Sequence, residues 1–186
     1  MLELRLCNTA LRLDFSFFAV LSLFFFFDST GTGQLSLCAC ACHELGHLAV
    51  MTAVGARVDS LTFYGAGIRI GARLDDLKSG ERAAVLAAGC AVNLLLSAAS
   101  LLGGSVRFAA VNLTLGAFNL LPVGALDGAQ LLALATARLA QRRAGAVRAC
   151  LCALSVVLCA VLAAISQGSG IMPLLICGYF LLMMAG

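Results

Sequence analysis

Charge, histidine and proline are all scarce in this chain. Charged residues fill only 11% of 186 positions against 62% hydrophobic, and mean hydropathy is +1.04. That balance excludes a soluble domain of this size and points to a chain mostly embedded in a bilayer, with no nucleic-acid partner expected. The net charge of +3 says little, because where the charges fall matters more than their sum. Histidine occurs twice, both times in one motif, which disfavours a metal transporter with ligands spread across the membrane. Cysteine is plentiful, nine in all, yet eight of the nine (Cys7 excepted) fall inside apolar segments where the thiol behaves as a small hydrophobe, so no disulfide framework is expected. The 19 glycines suit close helix packing in lipid.

The motif that holds both histidines is His43-Glu44-Leu45-Gly46-His47. On a helix its histidines stand at i and i+4, so both imidazoles leave one face a turn apart and can grip a single metal ion, with Glu44 beside them as a candidate base. Ionisable residues buried among Leu, Val, Ala and Cys are costly in lipid and mark a functional site. The alternative is a helix whose His and Glu only bond to neighbouring helices. Cys40 lies three residues before His43 on the same face, either as a packing residue or as a thiol able to meet metal or oxidant.

Six apolar segments follow one another, at about 13–28, 34–54, 83–103, 106–124, 148–165 and 171–186. Of the twelve basic residues only Arg107 falls in an outer loop; the others precede the first segment (Arg5, Arg12), separate the second from the third (Arg57 to Arg82) or separate the fourth from the fifth (Arg138 to Arg148). The positive-inside rule then gives six crossings with both termini cytoplasmic. Between the second and third segments, Leu61 and Phe63 alternate with Thr62 and Tyr64, glycines interrupt at Gly65 and Gly67, and Ile68 and Ile70 flank Arg69. This is a hairpin pattern. Two uses stand side by side: an edge that holds an extended peptide by strand addition, or a connector.

A second constellation runs from Asn119 through Pro122 to Asp127-Gly128. Pro122 breaks the helix and Gly124 loosens it, so Asp127 sits on irregular backbone that must line a cavity or pack against protein. Two histidines leave a catalytic zinc short of its usual three protein ligands plus water, and the carboxylate of Asp127 completes that set; the alternative is that Asp127 caps the helix starting near Gly128.

Together, His43 to His47, the Gly89-x-x-x-Asn93 pattern, and Asn119-Leu-Leu-Pro122 leading into Leu126-Asp127-Gly128 resemble the site-2 protease family of intramembrane zinc metalloproteases. The order of these elements is similar to the six-span branch that includes the bacterial sporulation protease acting on a sigma-factor precursor. The resemblance implies one zinc ion held by His43, His47 and Asp127, Glu44 as base, and Asn93, Asn119 and Pro122 shaping the cleft and binding substrate backbone. It implies hydrolysis of peptide bonds in a transmembrane or membrane-associated segment, with Asn93 or Asn119 either donating to the oxyanion or bonding between helices. A regulatory membrane partner is possible. Departures from the pattern are Cys90, Gly124, Ala125 and Ala129; none of them removes a ligand.

The expected fold is therefore an all-α polytopic membrane protein of about six transmembrane helices with a short β-hairpin between the second and third. Residues 1–186 are expected to form one integral-membrane metalloprotease domain with no appended soluble regulatory domain. The rival function is an inactive membrane scaffold, disfavoured because Glu44 and the three ligands are all present.

Overall fold

Alternation at the start of the chain, Leu2-Glu-Leu-Arg-Leu6 and Thr9-Ala-Leu-Arg-Leu13, produces two strands, β1 (Leu2–Leu6) and β2 (Thr9–Leu13), paired antiparallel. In the computed structural model the described residues are 2–137 except 7, 8, 29, 30, 66, 75 and 125, together with 143, 145–147, 149, 150 and 153. After α1 (Phe15–Phe27) and α2 (Thr32–Ala53) come β3 (Val58–Tyr64) and β4 (Gly67–Ala72), the two arms of the expected hairpin. Three helices follow, α3 (Ser79–Leu102), α4 (Val106–Asn119) and α5 (Asp127–Thr136).

The strands form one sheet in the order β1-β2-β3-β4, with β2 and β3 parallel and the outer pairs antiparallel. The fold is thus mostly helical with a four-stranded sheet, not an all-α bundle carrying a lone hairpin. Register explains why the first two strands join. Leu4, Leu11, Leu61 and Ile70 stand in one row across all four strands, and Leu2, Leu13, Phe63 and Ile68 in the next, so one face is continuously apolar. Between those rows Glu3, Arg12, Thr62 and Arg69 line the opposite face, where Glu3 meets Arg12 at 3.6 Å and Arg69 stacks over Tyr64 at 5.2 Å.

The sheet is tied to α1 at one corner. Asp14 caps α1, its Oδ1 accepting from Ser16 N at 2.9 Å and Ser16 Oγ at 2.7 Å, and these bonds hold its carboxyl below the usual carboxylate range. Asp14 N donates to the Phe63 carbonyl at 2.9 Å, Gly65 N donates to Ser16 Oγ at 3.0 Å, and Phe17 meets Phe63 edge-on at 5.5 Å. Beyond α1, Asp28 accepts from Thr32 N at 3.3 Å and Gly33 N at 2.6 Å, placing a carboxylate at the positive end of α2. Helix α2 stops where Gly55 turns left-handed at φ 73°, with Ala56 N donating back to the Met51 carbonyl at 2.9 Å. Helix α3 starts where the Glu81 carboxylate accepts from Lys78 N at 2.9 Å.

Helices α2 and α3 are long and apolar enough to cross a membrane. Of the six expected spans, those at 34–54 and 83–103 are matched by α2 and α3; the shorter α1 and α4 fall within the segments at 13–28 and 106–124, and the segments at 148–165 and 171–186 lie, but for a few positions, outside the described residues. With 13 residues, α1 is about 20 Å long, short of the ~30 Å hydrocarbon core. Beside a small apolar core that includes Val85, Leu86 and Met51, burial departs from that of a water-soluble protein. Phe26, Leu95 and Leu102 are 82%, 70% and 92% exposed, whereas His43, His47, Asn93 and Asn112 are buried.

The chain divides into two compact units, Met1–Gly116 and Ala117–Gly186. In the first, α2 and α3 pack through small residues: a Cβ on Gly46 would lie 2.8 Å from Val92 Cγ2 and 3.0 Å from the Ala88 carbonyl. Helices α3 and α4 join through polar contacts, including Ser97 Oγ donating to the Ala109 carbonyl at 2.9 Å. In the second unit a run of turns leads from Asn119 to α5, with Val123 buried and Gly124 at φ 58°.

Candidate metal centre

His43 and His47 occupy the buried face of α2 together with Ala39, Gly46 and Met51, while Leu45 points the other way. Their Nε2 atoms lie 3.1 Å apart and the rings meet edge-on at 81°. Helix spacing accounts for the shared face. The second nitrogen of each ring accounts for its aim. His47 Nδ1 lies 2.7 Å from the backbone carbonyl of Val85, and His43 Nδ1 lies 2.6 Å from Asn93 Oδ1. A carbonyl oxygen can only accept, so His47 carries its hydrogen on Nδ1 and offers an Nε2 lone pair. The Asn93 amide imposes the same tautomer on His43.

Two bare imidazole nitrogens facing each other at this distance repel unless a cation lies between them. Ligands of one tetrahedral zinc, each about 2.0–2.1 Å from the metal, stand about 3.3 Å apart, close to what is observed. The donors therefore fit a metal ion. Helix α3 lets this happen by having no side chain at Gly89: a Cβ there would lie 2.7 Å from His43 Nε2 and closer still to His47 Nε2. The next residue, Cys90, is buried, and its Sγ comes within 4.8 Å of a His43 ring nitrogen. Glu44 is half-buried on the same turn of α2 as the histidines, and Cys40 is half-buried one turn earlier.

Asn93 is fully buried on α3. Its Nδ2 donates to the Ala39 carbonyl at 3.1 Å and to Asn112 Oδ1 at 2.9 Å, so both amide hydrogens and the oxygen are engaged by protein groups. Asn112 on α4 is equally buried and donates through Nδ2 to the Phe108 carbonyl at 2.9 Å. Sequence reasoning named Asn93 and passed over Asn112, Val85 and the close approach at Gly89. For Asn112 a signal was available, a second asparagine in an apolar segment; a backbone carbonyl such as that of Val85 leaves none.

The remaining candidates lie in the second unit. Asn119 is the last residue of α4 and Pro122 follows in the turns, both half-buried. Asp127 is the first residue of α5, while Leu126 occupies the cap position, so Asp127 is not the helix cap. Its carboxylate stands at the positive helix end, where negative charge is favoured. Gly128 is required beside it, because a Cβ there would run into the Leu120 carbonyl and lie 2.8 Å from that of Leu121.

The geometry is that of two buried histidines able to hold a metal ion, braced by a neighbouring helix. Residues 105–163, which hold Asn119, Pro122 and Asp127 but not the histidine motif, match the family model described as Peptidase family M50. In fold, the chain is similar to the site-2 protease from Methanocaldococcus jannaschii, at 18% sequence identity and a TM-score of 0.65, over 96% of this chain and 91% of that one. No curated protein sequence matches.

Proposed function

We propose that this chain is an intramembrane zinc metalloendopeptidase of the six-span kind, hydrolysing peptide bonds in transmembrane or membrane-associated protein segments. The observation that carries this reading is the 3.1 Å approach of the two Nε2 atoms, each ring anchored through its Nδ1 in apolar surroundings. The family match over residues 105–163 and the shared fold support it. His43, His47 and Asp127 would hold the ion, with Asp127 supplying the carboxylate that the first unit's histidines need as third ligand.

Zinc, when bound, acidifies a coordinated water and polarises the scissile carbonyl. Glu44 takes the proton from the attacking water and returns it to the leaving amine, a shuttle worth about 10²–10⁴-fold. The Nδ1 anchors keep both imidazoles aimed while charge develops. Both hydrogens of the Asn93 amide are taken by the Ala39 carbonyl and Asn112, which sets Asn93 to holding His43 and not to donating to an oxyanion. The proposed substrate is a helix that can unwind, such as the span of a membrane-tethered transcription-factor precursor, because an intact helix sequesters its peptide bonds. Site and termini are assigned to the cytoplasmic side on the distribution of lysine and arginine.

The test uses the full chain in proteoliposomes with a single-span substrate. Glu44→Gln should lower cleavage at least ~100-fold and keep its zinc, whereas His43→Ala should lose both. Cleavage by the glutamine variant at the wild-type rate would end the assignment. Cysteine labelling from outside should reach position 32 and not position 78 in a cysteine-free background.

A further inference from the structure

Three side chains on three helices are linked in series: Asn112 on α4, Asn93 on α3 and His43 on α2. We propose that Asn112 is a positioning residue for the metal centre, locking the Asn93 amide in the one orientation that leaves His43 Nε2 bare. The metal-binding consequence rests on the zinc reading above; the tautomer does not.

The lock is read from its fixed ends. The Phe108 carbonyl accepts from Asn112 at 2.9 Å, which identifies the nitrogen of that amide and turns its oxygen towards Asn93. The Ala39 carbonyl lies 3.1 Å from the Asn93 amide and Asn112 Oδ1 lies 2.9 Å from it, so two oxygens demand its nitrogen. That leaves Asn93 Oδ1 facing His43, and the imidazole must place its hydrogen on Nδ1. Flipping Asn93 would set its oxygen against two other oxygens. It would also turn an N–H towards His43 Nδ1, driving the ring hydrogen onto Nε2, where it blocks metal binding. Each group in the chain is buried, so no solvent relieves a wrong orientation.

Removing the oxygen at position 112 leaves only the Ala39 carbonyl to oppose the flip. Outer groups that orient a histidine ligand typically carry 10–100-fold in metal affinity. Asn112→Leu is the test, with the near-isosteric Asn112→Asp, which still accepts from Asn93, as its control. The readouts are zinc affinity by competition with a chelator and the ring ¹⁵N shifts of His43 in the metal-free full chain. Asn112→Leu should bind zinc about 10–100-fold more weakly and show part of its His43 hydrogen moved to Nε2, while Asn112→Asp stays nearer the wild type in both.

A packing role alone would leave His43 protonated at Nδ1 in every folded variant. That result, joined to unchanged zinc affinity in Asn112→Leu, overturns the proposal. So does a wild-type His43 whose hydrogen sits on Nε2, a measurement that needs no variant to fold. A wild type that shows Nδ1–H and binds zinc, yet cleaves no membrane substrate, sinks the protease reading and supports the lock.

Discussion

Gly89 and His43 stand so close that a single methyl group would not fit between α3 and the imidazole: its carbon would lie 2.7 Å from Nε2. The glycine is thus selected by the space the site needs. Its backbone shows no positive φ. Gly89→Ala should push the helices apart or turn the imidazole off its aim. Overpacking of this kind costs about 1–3 kcal/mol, and the loss should fall more heavily on zinc affinity than on melting temperature. Equilibrium dialysis of zinc against the variant, beside its thermal melt, checks this. A variant that melts early but binds zinc normally would show that Gly89 serves helix packing alone.

Asp127 carries the non-local half of the proposed site. As a ligand, it should make Asp127→Ala lose zinc to the degree that His47→Ala does, while Asp127→Glu, with the same charge and a longer reach, recovers part of the binding. The competing role is electrostatic, at the first turn of α5, and is worth about 0.3–1 kcal/mol. In that case both variants would shift stability slightly and leave zinc untouched. Zinc stoichiometry measured on purified protein separates the two.

The histidine pair was legible because i, i+4 spacing is a local property, and the β3–β4 arms were legible because alternation around glycine is one as well. The β1–β2 pair carried the same signal, with Leu2, Leu4 and Leu6 alternating with Glu3 and Arg5. There Arg5 and Arg12 also fit the positive-inside pattern, which masks the alternation. Their structural place is the polar face of a sheet, where Arg12 meets Glu3 at 3.6 Å. What joins that hairpin to β3 is the parallel register of Ala10 to Leu13 with Ser60 to Phe63, across about fifty residues and two helices. No local pattern encodes it. The same holds for the Nδ1 anchor of His47: nothing about Val85 as a residue announces that a histidine on another helix bonds to its carbonyl.

The corner between sheet and α1 makes a pH prediction. Ser16, through its hydroxyl first and its backbone N–H second, holds the Asp14 carboxyl below its ordinary 3.8. A group depressed in the folded state contributes its stability above the unfolded value and loses it as pH falls through the folded one. The α1 cap should therefore hold at neutral pH and weaken only below about pH 4. Asp14→Ala should melt earlier at pH 7 and lose this part of the acid dependence, so the gap between the wild-type and variant curves narrows as the pH falls below about 4. Parallel thermal melts across that range test it, and a constant gap between the curves would contradict the cap.

Strand order decides which part of the sheet could present an extended peptide. β3 pairs with β2 on one side and β4 on the other, so Phe63→Pro removes a backbone donor from a strand already engaged on both sides and should damage the fold, with zinc binding and cleavage falling together. β4 is different, since among the described residues it has a neighbour on one side only. Along an edge strand, successive N–H groups point alternately inward and outward. Of Arg69→Pro and Ile70→Pro, one therefore deletes a ladder bond to β3 and the other deletes an outward donor. The outward variant should keep its melting temperature and its zinc. If β4 receives the substrate by strand addition, that variant should still lose cleavage, mainly through a raised KM, because the missing bond belongs to binding and not to the chemical step. Normal cleavage by the well-folded member of the pair would leave β4 as a connector between α2 and α3.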